Sequence, residues 1–122
     1  SGMVTILYIG NNSRELSRAV DGYNAKTPEN PWVAVCLPTS FASSDIELTE
    51  RLRDEGISKV RFDGIALDFS WKGSIGVIKD TFPDSYRILI HGHPKKTYCV
   101  DAHVSTESDV PKMLEELLEN TK

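Results

Sequence analysis

The segment FDGIALDFS, residues 62–70, decides the fold of this chain. Its centre, residues 64–67, is apolar without alternation, and an aspartate stands on each side of it. A short apolar run of this kind is typical of a strand buried on both faces, as in a parallel sheet. Asp68 ends the run, and open α/β sheets place their ligand sites at the carboxyl ends of their strands. The segment therefore predicts a central strand with Asp68 at the functional edge.

The segments on either side of this strand alternate between strand and helix patterns. Further strands are predicted at residues 4–10, 32–37, 86–90 and 99–105. Helices are predicted after Asn12 and Ser44, which stand at capping-box spacing from Glu15 and Glu47, and at residues 73–82 and 110–118. This alternation favours an α/β three-layer sandwich, a five-stranded parallel sheet in the order 2-1-3-4-5 with helices on both faces.

The connection between the fourth and fifth strands breaks the regular pattern. Only about eight residues separate these strands, fewer than the dozen or so that a helical crossover requires. We therefore expect the fourth helix to be short or missing. Either the loop at residues 92–98 or a partner must then cover the sheet face that this helix would occupy.

The bulk composition excludes several classes of protein. The chain has 122 residues and a net charge of −4, so we expect one domain, residues 3–122, that does not bind nucleic acid. The first two residues look like the remnant of a tag. No apolar run approaches the roughly 20 residues of a membrane span, which favours a cytoplasmic protein without membrane contact. Cys36 and Cys99 fall in strands near opposite edges of the expected sheet, too far apart for a disulfide.

Taken together, the element order, the domain size and the segment that ends in Asp68 resemble the receiver domain of two-component signalling. The resemblance covers essentially the whole chain, and residues 100–104 with the amphipathic helix after them resemble the end of a receiver. It implies a flavodoxin-like fold. It also implies that Asp68 stands where receivers carry their phosphoacceptor aspartate.

Carried over position by position, the resemblance implies a degenerate site. Receivers end their first strand in acidic residues that bind Mg²⁺, whereas this chain has Gly10, Asn11 and Asn12 there. The small hydroxyl residue after the fourth strand is replaced by His91. The lysine and proline after the fifth strand are replaced by Thr106 and Glu107. Of the phosphorylation site only Asp68 remains, so the chain resembles a pseudo-receiver.

Three functions follow from these patterns. The leading hypothesis is a non-catalytic signalling module that acts through protein–protein interaction and needs no cofactor or metal. The alternative is a true response-regulator receiver, phosphorylated on Asp68 with Mg²⁺, in which Lys72 or Lys95 replaces the lost cation. The third is a crevice for a small ligand or metal at Asp68, Asn11 and His91, to which His93 and His103 could add imidazoles.

A partner-binding surface is expected around the loop after Asp68 and the last helix. The partner would be a protein, such as a histidine kinase or another signalling protein, or a second copy of the chain. Trp71 could serve either as an exposed anchor for that partner or as an apolar lid over the crevice. The predicted contact residues are Trp71, Lys72, Tyr98, Met113 and Leu117.

Overall fold

The computed structural model describes residues 2–93, 95 and 98–120, which form a sheet with helices on both faces. In chain order the elements are β1 (Val4–Ile9), α1 (Ser13–Lys26), β2 (Trp32–Leu37), α2 (Asp45–Asp54), β3 (Gly64–Asp68), α3 (Ile75–Thr81), β4 (Tyr86–Ile90), β5 (Ala102–Val104) and α4 (Val110–Glu119).

The sheet confirms the predicted topology. Its five strands are all parallel and lie in the order β2-β1-β3-β4-β5, which is the flavodoxin-like order. Ile9 pairs with Leu67, and Asp68 pairs with Ile90, so β1, β3 and β4 end at one level. Among the described residues no α-helix connects β4 to β5, in agreement with a fourth helix that was expected to be short or missing. The loops that follow β1, β3 and β4 therefore meet at one edge.

The central strand is buried on both faces, as its apolar run predicted. Ile65 and Leu67 pack into an apolar cluster with α2 and α3, while Ala66 packs into a second cluster with α1 and α4. Each of these three side chains is at most 1% exposed. Burying a leucine or isoleucine side chain stabilises the fold by about 1.5–3 kcal/mol. The side chains of β3 therefore stabilise the packing on both faces of the sheet.

The third helix is shorter than predicted. The sequence pattern placed a helix at residues 73–82, but the α-helix covers only Ile75–Thr81 and follows a 3-10 segment, Phe69–Ser74. This segment begins directly at the end of β3 because the Asp68 side chain accepts a hydrogen bond from the Ser70 amide. Asp68 therefore shapes the loop that carries it.

The fifth strand is also shorter than its predicted range of 99–105. Cys99 has a φ of 52°, a left-handed conformation that no β-strand accommodates. Asp101 instead holds the chain beside β4, since its carboxylate accepts from the Arg87 amide at 2.7 Å. Only Ala102–Val104 pair as a strand.

One of the two predicted capping boxes is present in part, because Ser44 caps α2 but the Glu47 carboxylate accepts from the Ser43 amide. Ser44 Oγ accepts from the Glu47 amide at 3.1 Å, and α2 begins there. Asn12 occupies the N-cap position of α1, but its side chain does not cap the helix. Its amide group donates instead to Glu15 Oε2 at 3.3 Å. The Asn12 prediction was therefore correct in position and wrong in mechanism.

The described part of the connection between β4 and β5 packs on the sheet. Tyr98 and Val100 contact the apolar cluster of α2 and α3. The Tyr98 ring meets the Phe69 ring edge-on, with centroids 5.7 Å apart. These side chains lie on the face that a fourth helix would cover.

Cys36 and Cys99 are both unbridged, as predicted. Within the described residues no helix is long and apolar enough to cross a membrane.

Candidate functional site

A polar cleft of about 480 Å³ opens where β1, β3 and β4 end, and we call it the carboxyl-edge cleft. Four of its lining residues, Asn11, Asn12, Asp68 and His91, are ones that the sequence placed at this edge. Its full lining consists of Asn11, Asn12, Thr39, Asp68, Ser70, His91 and Glu107.

Asp68 is half-buried at the end of β3 and has its two carboxylate oxygens in different roles. Oδ2 accepts from the Ser70 amide at 3.0 Å and from the Ser70 hydroxyl at 2.6 Å. Oδ1 lies 4.0 Å from Nε2 of His91. The loop after β3 therefore holds one oxygen and leaves the other directed at the imidazole.

His91 follows β4 with a backbone conformation that is unusual for its residue type. Its φ is 68°, and Gly92 continues the left-handed turn with a φ of 72°. A left-handed non-glycine residue costs about 1–2 kcal/mol. Gly92 also needs to be glycine because an added Cβ would lie 2.1 Å from the Phe69 ring. This turn directs His91 Nε2 toward Glu107 Oε1, at 3.1 Å.

Glu107 is the buried carboxylate of the cleft. It begins the 3-10 turn Glu107–Asp109 before α4 and is 1% exposed. Its Oε2 accepts from the Tyr8 hydroxyl at 2.8 Å, and its Oε1 faces His91. In the part of the chain that the structure describes, no Lys or Arg pairs with it, and His91 is its one ion-pair partner. Burying a carboxylate is costly unless another charge compensates it.

Tyr8 links this carboxylate to the end of β1. Its hydroxyl donates to Glu107 and accepts from the Asn12 amide at 2.9 Å. Burial, together with the hydrogen bond and charge of Glu107, raises the pKa of Tyr8 well above its ordinary 10.0, although the Asn12 bond acts in the opposite direction. Gly10 leaves room for this ring, because an added Cβ would lie 2.3 Å from the Tyr8 hydroxyl. Gly10 therefore serves packing at the cleft.

The two asparagines after β1 make structural hydrogen bonds. Asn11 Oδ1 accepts from the Thr39 hydroxyl at 2.8 Å and from the Thr39 amide at 3.2 Å. This ties the loop after β1 to the loop after β2. Asn12 lines the cleft beside Tyr8. Neither residue brings a carboxylate to the edge.

Thr106 and the two lysines predicted to replace the lost cation do not line the cleft. The Thr106 hydroxyl is engaged with the Ser108 hydroxyl at 2.8 Å. The ammonium group of Lys72 lies 4.9 Å from the centre of the Phe69 ring, and that of Lys95 lies 5.9 Å from the Tyr98 ring. Both ammonium groups therefore lie over aromatic rings.

Trp71 is not an exposed anchor, which corrects one of the two roles considered for it. It is 9% exposed and belongs to the apolar cluster of α2 and α3. Tyr98 is half-buried against the same cluster. Met113 and Leu117 are half-buried against the cluster of α1 and α4. Of the predicted contact residues only Lys72 is exposed.

The histidines do not assemble as a three-imidazole site. His93 is exposed, and His103 lies beside the Tyr98 ring with its Nε2 buried and without a hydrogen-bond partner. Among the described residues the one group of potential metal ligands consists of Asp68, His91 and Glu107, whose ligand atoms all lie within 4.8 Å of one another.

Sequence reasoning named Glu107 only as a departure from the receiver pattern, without a role in the site, and it missed Tyr8. Glutamate is almost never fully buried, so nothing in the pattern distinguished Glu107 from a solvated residue of a loop. Tyr8 reads as one more apolar residue of β1. The available signal was positional, because Glu107 follows β5 at the same edge as Asp68.

Comparison with known proteins adds fold-level likeness only. No protein-family model matches the chain, and no curated protein does. Among solved structures it is similar to a "putative lipoprotein" fragment from Peptoclostridium difficile 630, with a TM-score of 0.56 at 9% identity over 98% of this chain and 99% of that one.

Two further solved structures share the fold. One is a response regulator from Burkholderia pseudomallei with a phosphorylated aspartic acid, a calcium ion and citrate (TM-score 0.51, 15% identity, 96% of this chain and 75% of that one). The other is a 3-dehydroquinate dehydratase-like protein from Bifidobacterium longum (TM-score 0.52, 7% identity, 100% of this chain and 99% of that one). At these identities the likeness shows a flavodoxin-like fold, which receivers share with proteins of other names.

Proposed function

We propose that this chain is a non-catalytic regulatory module with a receiver-like fold, which acts by binding a protein partner and carries no phosphoryl group on Asp68. The observation that carries this proposal is the buried carboxylate of Glu107 in the carboxyl-edge cleft, next to Asp68. Receivers place a lysine at the neighbouring position of the chain. The charge at this edge is therefore reversed.

Phosphoryl transfer to a carboxylate needs positive charge around the transferred group. The groups within 4.8 Å of each other here are two carboxylates and one imidazole. A phosphoryl group on Asp68 would bring further negative charge against Glu107. The hydrogen bonds from Ser70 already engage the Asp68 Oδ2 atom. The added negative charge next to Glu107 opposes a stable aspartyl phosphate.

The surface proposed for the partner lies along α4 and β5. Met113 and Leu117 are half-buried there, and exposed Lys112 and Glu116 lie beside Met113 around a shallow groove. A half-buried apolar strip with charged neighbours suits a protein partner, including a second copy of this chain. Enzymatic activity is not part of the proposal.

Phosphorylation is tested on the purified chain with acetyl phosphate and Mg²⁺, followed by intact mass measurement, and with beryllofluoride in an amide NMR titration. We expect no mass increase and no saturable shifts at Asp68, Asn11 or His91 at millimolar ligand. A genuine receiver treated in parallel shows that the reagents are active. A phosphoryl adduct that disappears in Asp68→Asn would overturn the proposal.

Self-association is tested separately by sedimentation velocity over a range of concentrations. If the α4 surface pairs with a second copy, Lys112→Glu weakens the dimer. Lys79 is exposed on α3 at the opposite face of the sheet, so Lys79→Glu serves as the matched control. A dimer that Lys79→Glu disrupts and Lys112→Glu leaves intact would assign the interface to the α3 face instead.

A further inference from the structure

We propose that the carboxyl-edge cleft binds one divalent transition-metal ion of the zinc type through Asp68, His91 and Glu107. The third hypothesis from the sequence was a small-ligand or metal crevice at Asp68, Asn11 and His91, and it did not include Glu107. This inference goes beyond the proposed function, because it rests on the geometry of the three side chains and does not depend on a partner.

The three potential ligands stand on the ends of different elements. Asp68 ends β3, His91 follows β4 directly, and Glu107 begins the turn before α4. Side chains placed on a rigid sheet edge keep their relative positions without relying on a long loop. All three ligand atoms already lie within 4.8 Å of one another.

The distances between these atoms are close to those of a metal site. Bonds of about 2.0–2.1 Å in a tetrahedral zinc site put neighbouring ligand atoms about 3.3 Å apart. His91 Nε2 lies 3.1 Å from Glu107 Oε1 and 4.0 Å from Asp68 Oδ1, so the two distances bracket that value. Small side-chain rotations would complete the geometry.

The remaining oxygen of each carboxylate is held by a hydrogen bond from outside the cluster. Ser70 donates to Oδ2 of Asp68, and Tyr8 donates to Oε2 of Glu107. The oxygens that face His91 are the other ones, Oδ1 and Oε1. Metal sites orient their carboxylate ligands with outer hydrogen bonds of this kind. The arrangement is therefore that of ligands with their supporting contacts in place.

Charge compensation gives a separate reason for a cation at this position. Glu107 is 1% exposed, and within the described residues it has no Lys or Arg partner. His91 offers a positive charge only when it is protonated. A divalent ion between the two carboxylates would compensate both charges and leave the imidazole neutral as a ligand.

The donor set of one imidazole nitrogen and two carboxylate oxygens selects among metals. Mg²⁺ and Ca²⁺ prefer oxygen ligands, whereas imidazole suits zinc and its neighbours in the first transition row. Affinity in such sites generally rises from Mn²⁺ to Cu²⁺ and falls at Zn²⁺, which still binds more tightly than Mn²⁺. We therefore expect Zn²⁺ to bind more tightly than Mn²⁺, and Mg²⁺ to bind most weakly.

The test is a titration of the full chain with Zn²⁺ in competition with a chromophoric chelator. We expect saturation at one Zn²⁺ per chain. His91→Asn should weaken binding at least tenfold, since asparagine tolerates the left-handed backbone of this position but lacks the imidazole. His93→Asn, two residues on at an exposed position, should bind as the unchanged chain does.

A second pair of variants separates ligands from folding effects. Glu107→Gln should weaken Zn²⁺ binding at least tenfold, while Glu50→Gln on the exposed side of α2 should not. Tyr8→Phe keeps all three ligands and should weaken binding about 10–100-fold while keeping one site, because Tyr8 only positions Glu107. Circular dichroism checks that each variant is folded.

Two results would overturn the proposal. One is the absence of saturable Zn²⁺ binding at micromolar to millimolar concentration. The other is binding that His93→Asn weakens as strongly as His91→Asn does, which would place the ion on an exposed surface. A phosphoryl adduct on Asp68 in the acetyl phosphate experiment would refute the proposed function, whereas the Zn²⁺ titration is carried out on the unphosphorylated chain, so the two failures are distinguishable.

Discussion

The Tyr8 hydroxyl donates a 2.8 Å hydrogen bond to the Glu107 carboxylate, and 99 residues of chain separate the two. The same hydroxyl accepts from the Asn12 amide. One buried phenol therefore joins the end of β1, the start of α1 and the turn before α4. The buried carboxylate of the cleft is held by the core of the sheet, and this relationship makes several properties of the chain testable.

Replacing Tyr8 with Phe should destabilise the fold in a pH-dependent way. Loss of the Tyr8 hydroxyl leaves the Glu107 carboxylate and the Asn12 amide without their hydrogen-bond partner. We expect this to lower the free energy of unfolding by about 1–3 kcal/mol near neutral pH. Because burial raises the pKa of Tyr8 in the folded state, its contribution is full below the unfolded value of 10.0 and declines as pH rises above it. The difference in unfolding free energy between the unchanged chain and Tyr8→Phe should therefore shrink above about pH 10.

Urea unfolding of the unchanged chain and of Tyr8→Phe at several pH values measures the difference in unfolding free energy. Because both proteins contain the same other titrating groups, the contributions of those groups cancel in the difference. Tyr23→Phe is a useful control because the hydrogen bond of Tyr23 to Glu115 is exposed and long, at 3.4 Å. It should cost less than Tyr8→Phe at neutral pH. A Tyr8→Phe difference that stays constant up to about pH 11 would contradict the assignment of a buried neutral phenol.

Removing the Glu107 side chain should cost stability through its two partners. Glu107→Ala leaves the Tyr8 hydroxyl and the His91 imidazole without their acceptor, and we expect a loss of about 1–3 kcal/mol. Glu107→Gln keeps an oxygen for Tyr8 and carries no buried charge, so it should cost clearly less. Chemical denaturation gives both values.

The control for Glu107 is Glu50→Ala, an exposed position on α2 whose effect should stay within about 0.5 kcal/mol. Equal losses of unfolding free energy for Glu107→Ala and Glu107→Gln would show that the negative charge of Glu107 itself stabilises the fold. This result would contradict the view that the charge is uncompensated in the metal-free chain.

Two glycines should respond in opposite directions to the same substitution. Gly10→Ala places a Cβ 2.3 Å from the Tyr8 hydroxyl, so the ring must move, at about 1–3 kcal/mol. Gly22→Ala lies within α1 with no atom within 4 Å of the added Cβ, and it should stabilise by about 0.5–1 kcal/mol. Thermal unfolding of the two variants should therefore shift to opposite sides of the unchanged chain. A neutral Gly10→Ala would mean that Tyr8 does not occupy this position.

Trp71 should behave as a core residue in fluorescence. Trp32 and Trp71 are 6% and 9% exposed, so iodide should quench neither strongly before the chain unfolds. The variants Trp32→Phe and Trp71→Phe each retain one tryptophan, so they report the fluorescence of Trp71 and of Trp32, respectively. Strong quenching of Trp71 in the folded Trp32→Phe variant would restore the exposed anchor that the structure excludes.

The sequence by itself determined the fold of this protein. The continuous apolar run before Asp68 and the alternation of strand and helix patterns predicted the parallel order 2-1-3-4-5, which the structure confirms. The short connection between β4 and β5 predicted a fourth helix that is short or missing, and among the described residues no α-helix lies there. These features depend on local periodicity and on chain length, which are properties of neighbouring residues. The position of Asp68 at the cleft follows from the same local pattern.

Only the tertiary structure decided how the cleft is built. Whether Glu107 is solvated or buried depends on Tyr8, a residue of the first strand that no local pattern connects to it. Trp71 similarly became a core residue because a 3-10 segment after Asp68 turns it inward. Contacts between distant segments fix the environment of each polar group, and that environment sets its charge and its chemistry. The sequence could therefore place Asp68 at an edge, while the fold selected the partners that it meets there.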